Sequence, residues 1–240
     1  SKIVFNRDKK RFFNTNTKIT FRPLLASREE FFKGAIMLEN DSEAVIKDNF
    51  TFTSNLKYSL VDNFDDLYIP PVDTYPAQVR SDIKDYLRNF DKTIFIGRAQ
   101  FDFYRTLKKN NHIMLTAGIL EEMFSGYGME YLYYDSNINF GAGFEVFQAF
   151  KRGYKLEFDL LDYKVTTGHL NLYYRNFKFI PFDMKLSYGK YLAGDIGGTI
   201  EFSRSFSNGV KFGVFATFTD VSSEQFGEGS FDKGLYFTIP

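Results

Sequence analysis

From Thr166 to Ile239 apolar and polar residues alternate through one strand-like segment after another, and no other feature restricts the fold as much. In Phe182-Asp183-Met184-Lys185-Leu186-Ser187-Tyr188 the even positions are apolar and the odd ones polar. Ile196, Ile200 and Phe202 alternate with Gly197, Thr199, Glu201 and Ser203. After Ser207-Asn208-Gly209 the pattern resumes at Val210, Phe212, Val214, Ala216 and Phe218. A strand sends successive side chains to opposite faces, so such segments build a sheet with one oily and one polar face. Asn-Gly between two such runs marks a tight hairpin.

The same alternation runs upstream. Phe50, Phe52, Leu56, Tyr58 and Leu60 share one face, and Asn49, Thr51, Thr53, Asn55, Lys57 and Ser59 the other. At ~3.3 Å per residue that segment is roughly 40 Å long. Strands of soluble domains cluster near 5–6 residues, whereas a tilted membrane-crossing strand needs about 9–11, so the length favours a membrane barrel. Strands are also expected at Lys18 to Phe21, Phe32 to Leu38, Phe95 to Leu107, Ile113 to Ile119, Met129 to Tyr134, Phe140 to Phe150 and Tyr154 to Leu160. Residues 61–75 read as an acidic loop stopped by Pro70-Pro71. Over 76–90 the period changes: Val79, Ile83, Tyr86, Leu87 and Phe90 recur at helical spacing, which predicts a short amphipathic helix capping or plugging the sheet. Short and longer connections alternate from about residue 150 onward, as in a barrel with tight turns at one end; before that the alternation is less regular.

Composition narrows the function. Thirty basic and thirty acidic residues cancel, so no basic surplus points to nucleic acid. With no cysteine there is no thiolate metal site, disulfide or thiol chemistry, and no cofactor is implied. No apolar run reaches the ~18 residues of a transmembrane helix. Thirty Phe and sixteen Tyr without Trp fit an aromatic β core or the aromatic girdles of a membrane barrel. The chain begins at Ser1, which suggests a removed leader or a piece of a longer protein.

Catalytic signals are weak. His112 and His169 have no G-x-S-x-G elbow to serve. Asp135-Ser-Asn137-Ile-Asn139 begins like a calcium loop, but Phe140 stands where Gly is needed and Val146 where Glu is needed. Glu157, Asp159, Lys185 and Glu201 have polar parity and would project into a closed barrel, where charges require partners. Glu121, Glu122 and Glu130, flanking Gly126-Tyr127-Gly128, could form a carboxylate cluster for acid–base work or a charged turn paired with Arg and Lys. With Glu201 they make up an expected lumen charge cluster.

Four motifs carry a family resemblance. Val79-Arg-Ser-Asp-Ile-Lys-Asp-Tyr86-Leu; Gly118-Ile-Leu-Glu121 with Gly126-Tyr-Gly128-Met-Glu130-Tyr-Leu-Tyr133; Tyr191-Leu-Ala-Gly194-Asp195; and Phe226-Gly-Glu-Gly-Ser-Phe-Asp-Lys-Gly234 resemble the C-terminal region of YjbH-type proteins. The resemblance covers about residues 76–240; residues 1–75 carry no motif that can be placed. It implies an outer-membrane β-barrel of Gram-negative bacteria linked to exopolysaccharide biosynthesis and export, with no catalytic residues. Family members are often longer and lipoproteins, yet no cysteine is present for lipidation, and the chain ends on Thr238-Ile239-Pro240 instead of an aromatic strand end. Both departures suggest a trimmed fragment. The resemblance makes Tyr191 and Asp195, and Glu228 and Asp232 in the last motif, the expected glycan contacts. A ring stacks on a sugar face while carboxylates bond its hydroxyls. The competing reading is loop structure, with both aspartates satisfying turn amides.

The sequence thus predicts one all-β domain over 1–240: an antiparallel up-and-down transmembrane β-barrel of about a dozen strands. Residues 1–60 supply the first strands, 61–92 a loop and helix, and 93–240 the rest. Its expected partners are outer-membrane lipid, a polysaccharide and other exopolysaccharide export proteins, with no nucleic acid. Its expected role is non-enzymatic help in assembling or exporting that polysaccharide. Two rivals are an outer-membrane lipid or glycan hydrolase using Glu121, Glu122 and Glu130 or His169, and a soluble β-sandwich carbohydrate-binding module whose oily faces meet each other.

Overall fold

The computed structural model describes residues 12–25, 32–65, 67, 83–90, 94–176, 181–221 and 232–238. Twelve strands form one antiparallel sheet in which spatial order follows chain order from β1 to β12. They are β1 Phe13–Leu25, β2 Phe32–Lys47, β3 Phe50–Asp62, β4 Ile94–Lys108, β5 Asn111–Ile119, β6 Phe124–Asp135, β7 Phe140–Arg152, β8 Leu160–Asn176, β9 Phe182–Lys190, β10 Ile196–Ser205, β11 Lys211–Thr219 and β12 Asp232–Thr238. The single helix among the described residues, α1, is Ile83–Leu87. Among those residues the sheet has no second layer, so the sandwich alternative has no counterpart here. No pairing joins β1 to β12 among them either.

The alternation read from the sequence becomes two faces. Ile19, Leu38, Leu56, Phe101, Leu115, Tyr127, Val146, Leu172, Tyr188, Phe202, Val214 and Leu235, one from each strand, stand exposed on the outer face. Cross-strand register keeps them on one side, as in Ile19↔Leu38, Phe101↔Ala117 and Leu172↔Leu186. Near the tight-turn end the outer face is aromatic: Tyr174 meets Phe182, Phe182 meets Phe202, and Phe212 meets Phe237 with ring centroids 6.4, 6.2 and 4.9 Å apart.

The inner face is polar over most of its height and apolar at one end. There Ala35 and Met37 of β2, Phe95 of β4, Phe124 of β6, Ala149 of β7 and Val165 of β8 join Phe64, Leu67, Tyr86, Leu87 and Phe90 in one buried cluster. One cluster touching inner residues from β2 to β8 requires the sheet to curl around the loop-and-helix segment. Phe90 stacks on Phe95 at 4.6 Å and meets Phe64 edge-on at 5.8 Å. Of the expected helical stripe, Ile83, Tyr86, Leu87 and Phe90 face this cluster. The helix itself is five residues, shorter than the expected 76–90, and 76–82 lie outside the described residues. Phe64 and Leu67, read from sequence as loop, are buried in the same cluster.

Connections alternate along the whole chain. Those at one end run over 48–49, 109–110, 136–139, 177–181 and 206–210; those at the other over 26–31, 63–93, 120–123, 153–159, 191–195 and 220–231. Their lengths alternate less cleanly: 120–123 and 136–139 are four residues each, so the irregularity expected before residue 150 is present. Connections 177–181, 191–195 and 206–210 are five each, so the short–long alternation expected after it is only partial; the helix sits at the end with the longest connection. One expected strand is corrected. Residues 154–159 form a loop, because Leu156 adopts φ 58° and Arg152 gathers the carbonyls of Leu156 and Glu157 at 2.6 and 2.7 Å. Glu157 and Asp159 are therefore exposed on that loop and do not face the interior. On the inner face Gly128, Gly213 and Gly234 lie opposite Phe147, Tyr236 and Phe215, whose rings occupy the space a Cβ would need. Glycine lets a neighbouring ring lie flat where the wall bends.

Candidate functional site: the polar inner wall

Ion pairs line the wall because alternation turns these charged residues inward, where each requires a partner. Glu122, on the 120–123 corner, accepts from Arg22 of β1 at 2.6 Å and from Lys57 of β3 at 2.8 Å. Lys57 also meets Glu39 at 3.3 Å. Burial raises the Glu122 carboxyl, but the Arg22 and Lys57 cations outweigh it and hold the group below the usual carboxylate range. Further along, Lys18 meets Asp41 at 2.9 Å, and Asn55 donates to the same carboxylate at 2.7 Å. Asp102 is 1% exposed and takes hydrogen bonds from Thr116 at 2.5 Å and Gln100 at 3.0 and 2.9 Å.

A second constellation spans β6 to β12. Glu130 faces Glu145 across β6 and β7, and Glu145 faces His169 across β7 and β8. Glu145 Oε1 lies 2.9 Å from His169 Nδ1. The Tyr191 ring meets His169 edge-on at 4.6 Å, and its hydroxyl joins Thr199 at 2.7 Å, which joins Thr217 at 2.8 Å. Ser187 donates to Asn171 at 2.6 Å, the Lys185 ammonium lies 5.8 Å from the Tyr173 ring centre, and Tyr236 donates to Glu201. Hydroxyls, amides and rings set among three carboxylates and the Lys185 ammonium suit a polyhydroxylated ligand better than an anion.

The expected carboxylate cluster is divided in three. Glu121 is exposed at the corner, where its carbonyl accepts from Arg152 at 3.2 Å. Glu122 belongs to the Arg22–Lys57 node, Glu130 to the Glu145–His169 row, and Glu201 to the Tyr236 pair. Tyr191 and Asp195 share the 191–195 loop, where the Tyr191 amide donates to the Asp195 carbonyl at 2.9 Å. Asp232 opens β12 opposite Thr217, and Glu228 lies outside the described residues. Asp135 caps its own turn, accepting from the Asn137 amide at 2.9 Å, so the calcium-loop resemblance ends there. The constellations bring in Asp102, Glu145 and Asn171, and the loop end brings in Arg152; sequence reasoning had not singled out any of them. Their inward parity was readable, but their partners stand on other strands.

Among the described residues no group of His, Asp and Glu could hold a metal ion. His169 Nε2 has no hydrogen-bond partner, so no hydroxyl is poised there as a nucleophile. What remains is an all-β protein with an exposed oily outer face and a polar, ring-bearing inner wall. The chain belongs to the YjbH family: the family model described as "Exopolysaccharide biosynthesis protein YbjH" matches residues 1–240. The match includes residues 1–75, where the sequence offered no placeable motif. A similar protein from Escherichia coli (strain K12), named "Uncharacterized lipoprotein YjbH", is 32% identical over 217 residues, covering 88% of this chain. The chain spans 31% of that protein's length.

Proposed function

We propose that these strands stand in the bacterial outer membrane as the wall of a β-barrel, and that the polar interior assists assembly or export of an extracellular polysaccharide without catalysing a reaction. The observation that carries this reading is the apolar outer face, with Ile19 70%, Leu170 66% and Leu235 64% exposed on strands far apart in the sheet. On β1–β3 it is interrupted by Thr15, Thr17, Asn40, Ser42 and Ser54, of which the first four hydrogen-bond among themselves. An apolar face across all twelve strands has no partner within the sheet, and hydrocarbon is the solvent that suits it. On β4 the outward positions stay apolar from Ile94 to Phe103, roughly 30 Å along the strand, and tilt brings this near the ~25 Å apolar band of such barrels. The family's description supplies the link to exopolysaccharide, and the hydroxyl- and ring-bearing wall is chemically suited to a glycan. The division of Glu121, Glu122, Glu130 and Glu201 among separate partners speaks against a hydrolase.

Membrane fractionation tests the location. The protein is expected in the outer-membrane fraction, extracted only by detergent and shifting in gel migration on heating; recovery in a detergent-free soluble fraction would end the proposal. Deleting the gene is expected to reduce secretion or surface retention of the polysaccharide, and unchanged levels of both would remove the assigned role.

A further inference from the structure

We infer that the polar island on the outer face of β1–β3 is a contact surface for a second copy of this chain within the membrane. This rests on the membrane reading proposed above and adds a partner. The island is Thr15 and Thr17 of β1, Asn40 and Ser42 of β2 and Ser54 of β3, set side by side by the register Thr17↔Asn40, Thr15↔Ser42 and Ser42↔Ser54. Apolar residues bound it on both sides: Phe13, Ala44 and Phe52 toward the tight turns, Ile19, Leu38 and Tyr58 toward the long loops. Ser54 also pairs with Ala99, midway along the outward apolar run from Ile94 to Phe103 on β4. The island thus stands at mid-height of the surface assigned to hydrocarbon.

The Asn40 amide nitrogen donates to Thr15 at 3.0 Å and to Thr17 at 2.8 Å, and its oxygen accepts from Ser42 at 2.9 Å. Ser42 gives its hydrogen to Asn40, so Thr15 donates to Ser42 at 2.9 Å. Those bonds leave the Thr17 hydroxyl hydrogen unused, and the Ser54 hydroxyl bonds no side chain among the described residues. Lone pairs also remain on Asn40 Oδ1, Thr15 Oγ1 and Ser42 Oγ, so the surplus contains donors and acceptors together and is self-complementary. An acyl chain carries no polar group at this depth and answers neither, whereas a protein wall can. None of the five residues is charged, so the strands still insert. Two copies inserted the same way round are related by a twofold axis along the membrane normal, which sets the patch against its own counterpart at equal depth. A second copy therefore brings matching donors and acceptors at the matching height, where any other wall would need an island of its own.

The test uses the full-length protein in bilayer vesicles at a low protein-to-lipid ratio. This chain has no cysteine, so a thiol introduced for spin labelling is unique in it. Labels at Ile19→Cys, beside the island, are expected to show dipolar coupling between copies at about 20 Å, the ~10 Å spacing of packed sheet faces plus two label arms. Labels at Leu172→Cys, on β8, are expected to show none at that distance. Asn40→Leu is expected to abolish the Ile19 coupling. Ser54→Ala, which breaks no bond within the island, is expected to weaken association about threefold, the scale of one hydrogen bond between membrane segments. Absence of coupling at Ile19, equally short coupling at Leu172, or association undiminished in either variant that keeps heat-modifiable migration would each overturn the contact. Fractionating the same variants keeps the two readings apart: outer-membrane protein whose copies do not couple defeats the second-copy contact alone, and detergent-free soluble protein defeats the membrane reading.

Discussion

The two ends of the inner wall handle burial in opposite ways. At the long-loop end α1 and its flanking loop press Phe64, Tyr86, Leu87 and Phe90 against the sheet, and the most deeply buried charge there is Arg152, 0% exposed. Its guanidinium meets backbone alone, donating to the carbonyls of Ile96, Glu121, Glu122, Leu156 and Glu157 at 2.6–3.2 Å. Toward the tight turns the apolar cluster gives way to side-chain pairs such as Lys18–Asp41 and Arg175–Asp183. The first arrangement fixes three connections to one another, and the second leaves polar groups on a surface that water or a ligand can reach. The loop end is built for rigidity, and the wall beyond it for contact.

Arg152→Leu makes the hardest test of that contrast. It keeps bulk but strands five carbonyls in a dry cluster, so a loss of about 3–5 kcal/mol is expected, as for breaking a buried charge network. The midpoint of unfolding in urea reads it. Arg175→Leu, at a half-exposed pair near the tight turns, is expected to cost under about 1 kcal/mol. Equal losses would erase the distinction between the two ends. Next in size is Leu172→Arg on the outer face. In the membrane reading a cation there costs about 2–4 kcal/mol at mid-bilayer. The inward Glu201→Gln is expected to leave membrane assembly unchanged, and efficient insertion of Leu172→Arg would contradict the lipid-facing assignment.

Packing of the wall supplies a smaller effect. A Cβ on Gly128 would fall 2.3 Å from the Phe147 ring and 2.5 Å from the Val146 carbonyl oxygen. Gly128→Ala should therefore cost about 1–3 kcal/mol in heat stability through overpacking. Gly198→Ala, where the nearest atom is the Ser187 carbonyl oxygen at 3.2 Å, should cost clearly less. Loss of that ranking would show that the rings are free to move off the inner glycines.

What could be read from the residues followed their periodicity. Phe182 to Tyr188 and Phe50 to Leu60 announced strands and faces because a period of two leaves no other choice. The strand expected at Tyr154 to Leu160 failed for a long-range reason. Its alternation is genuine, but Arg152 captures Leu156 and Glu157 carbonyls that a ladder would have used. Glu121, Glu122 and Glu130 looked like one group because they are close in sequence. The corner at 120–123 hands Glu122 to Arg22, a hundred residues away, and β6 carries Glu130 to Glu145. Partner identity depends on which strands the curl brings face to face, and spacing along the chain does not encode it.

The smallest expected effect is a pH response that separates the Glu122 node from the rest of the wall. Glu122 is 15% exposed, and the cations of Arg22 and Lys57 hold its carboxyl below the usual range although burial alone would raise it. A carboxyl held low in the folded protein binds protons more readily once unfolded. Its contribution is thus complete above the unfolded value of about 4.3 and drains away as pH falls through the folded value. Acidification below about pH 4 is therefore expected to remove on the order of 1 kcal/mol, releasing Arg22 and Lys57 from the 120–123 corner. Glu122→Gln should lower stability at neutral pH by about that amount and flatten the acid limb of the unfolding midpoint against pH. An acid limb equally steep in wild type and variant would assign the pH response to other carboxylates, and the corner would then be held by Arg152 without help from its ion pairs.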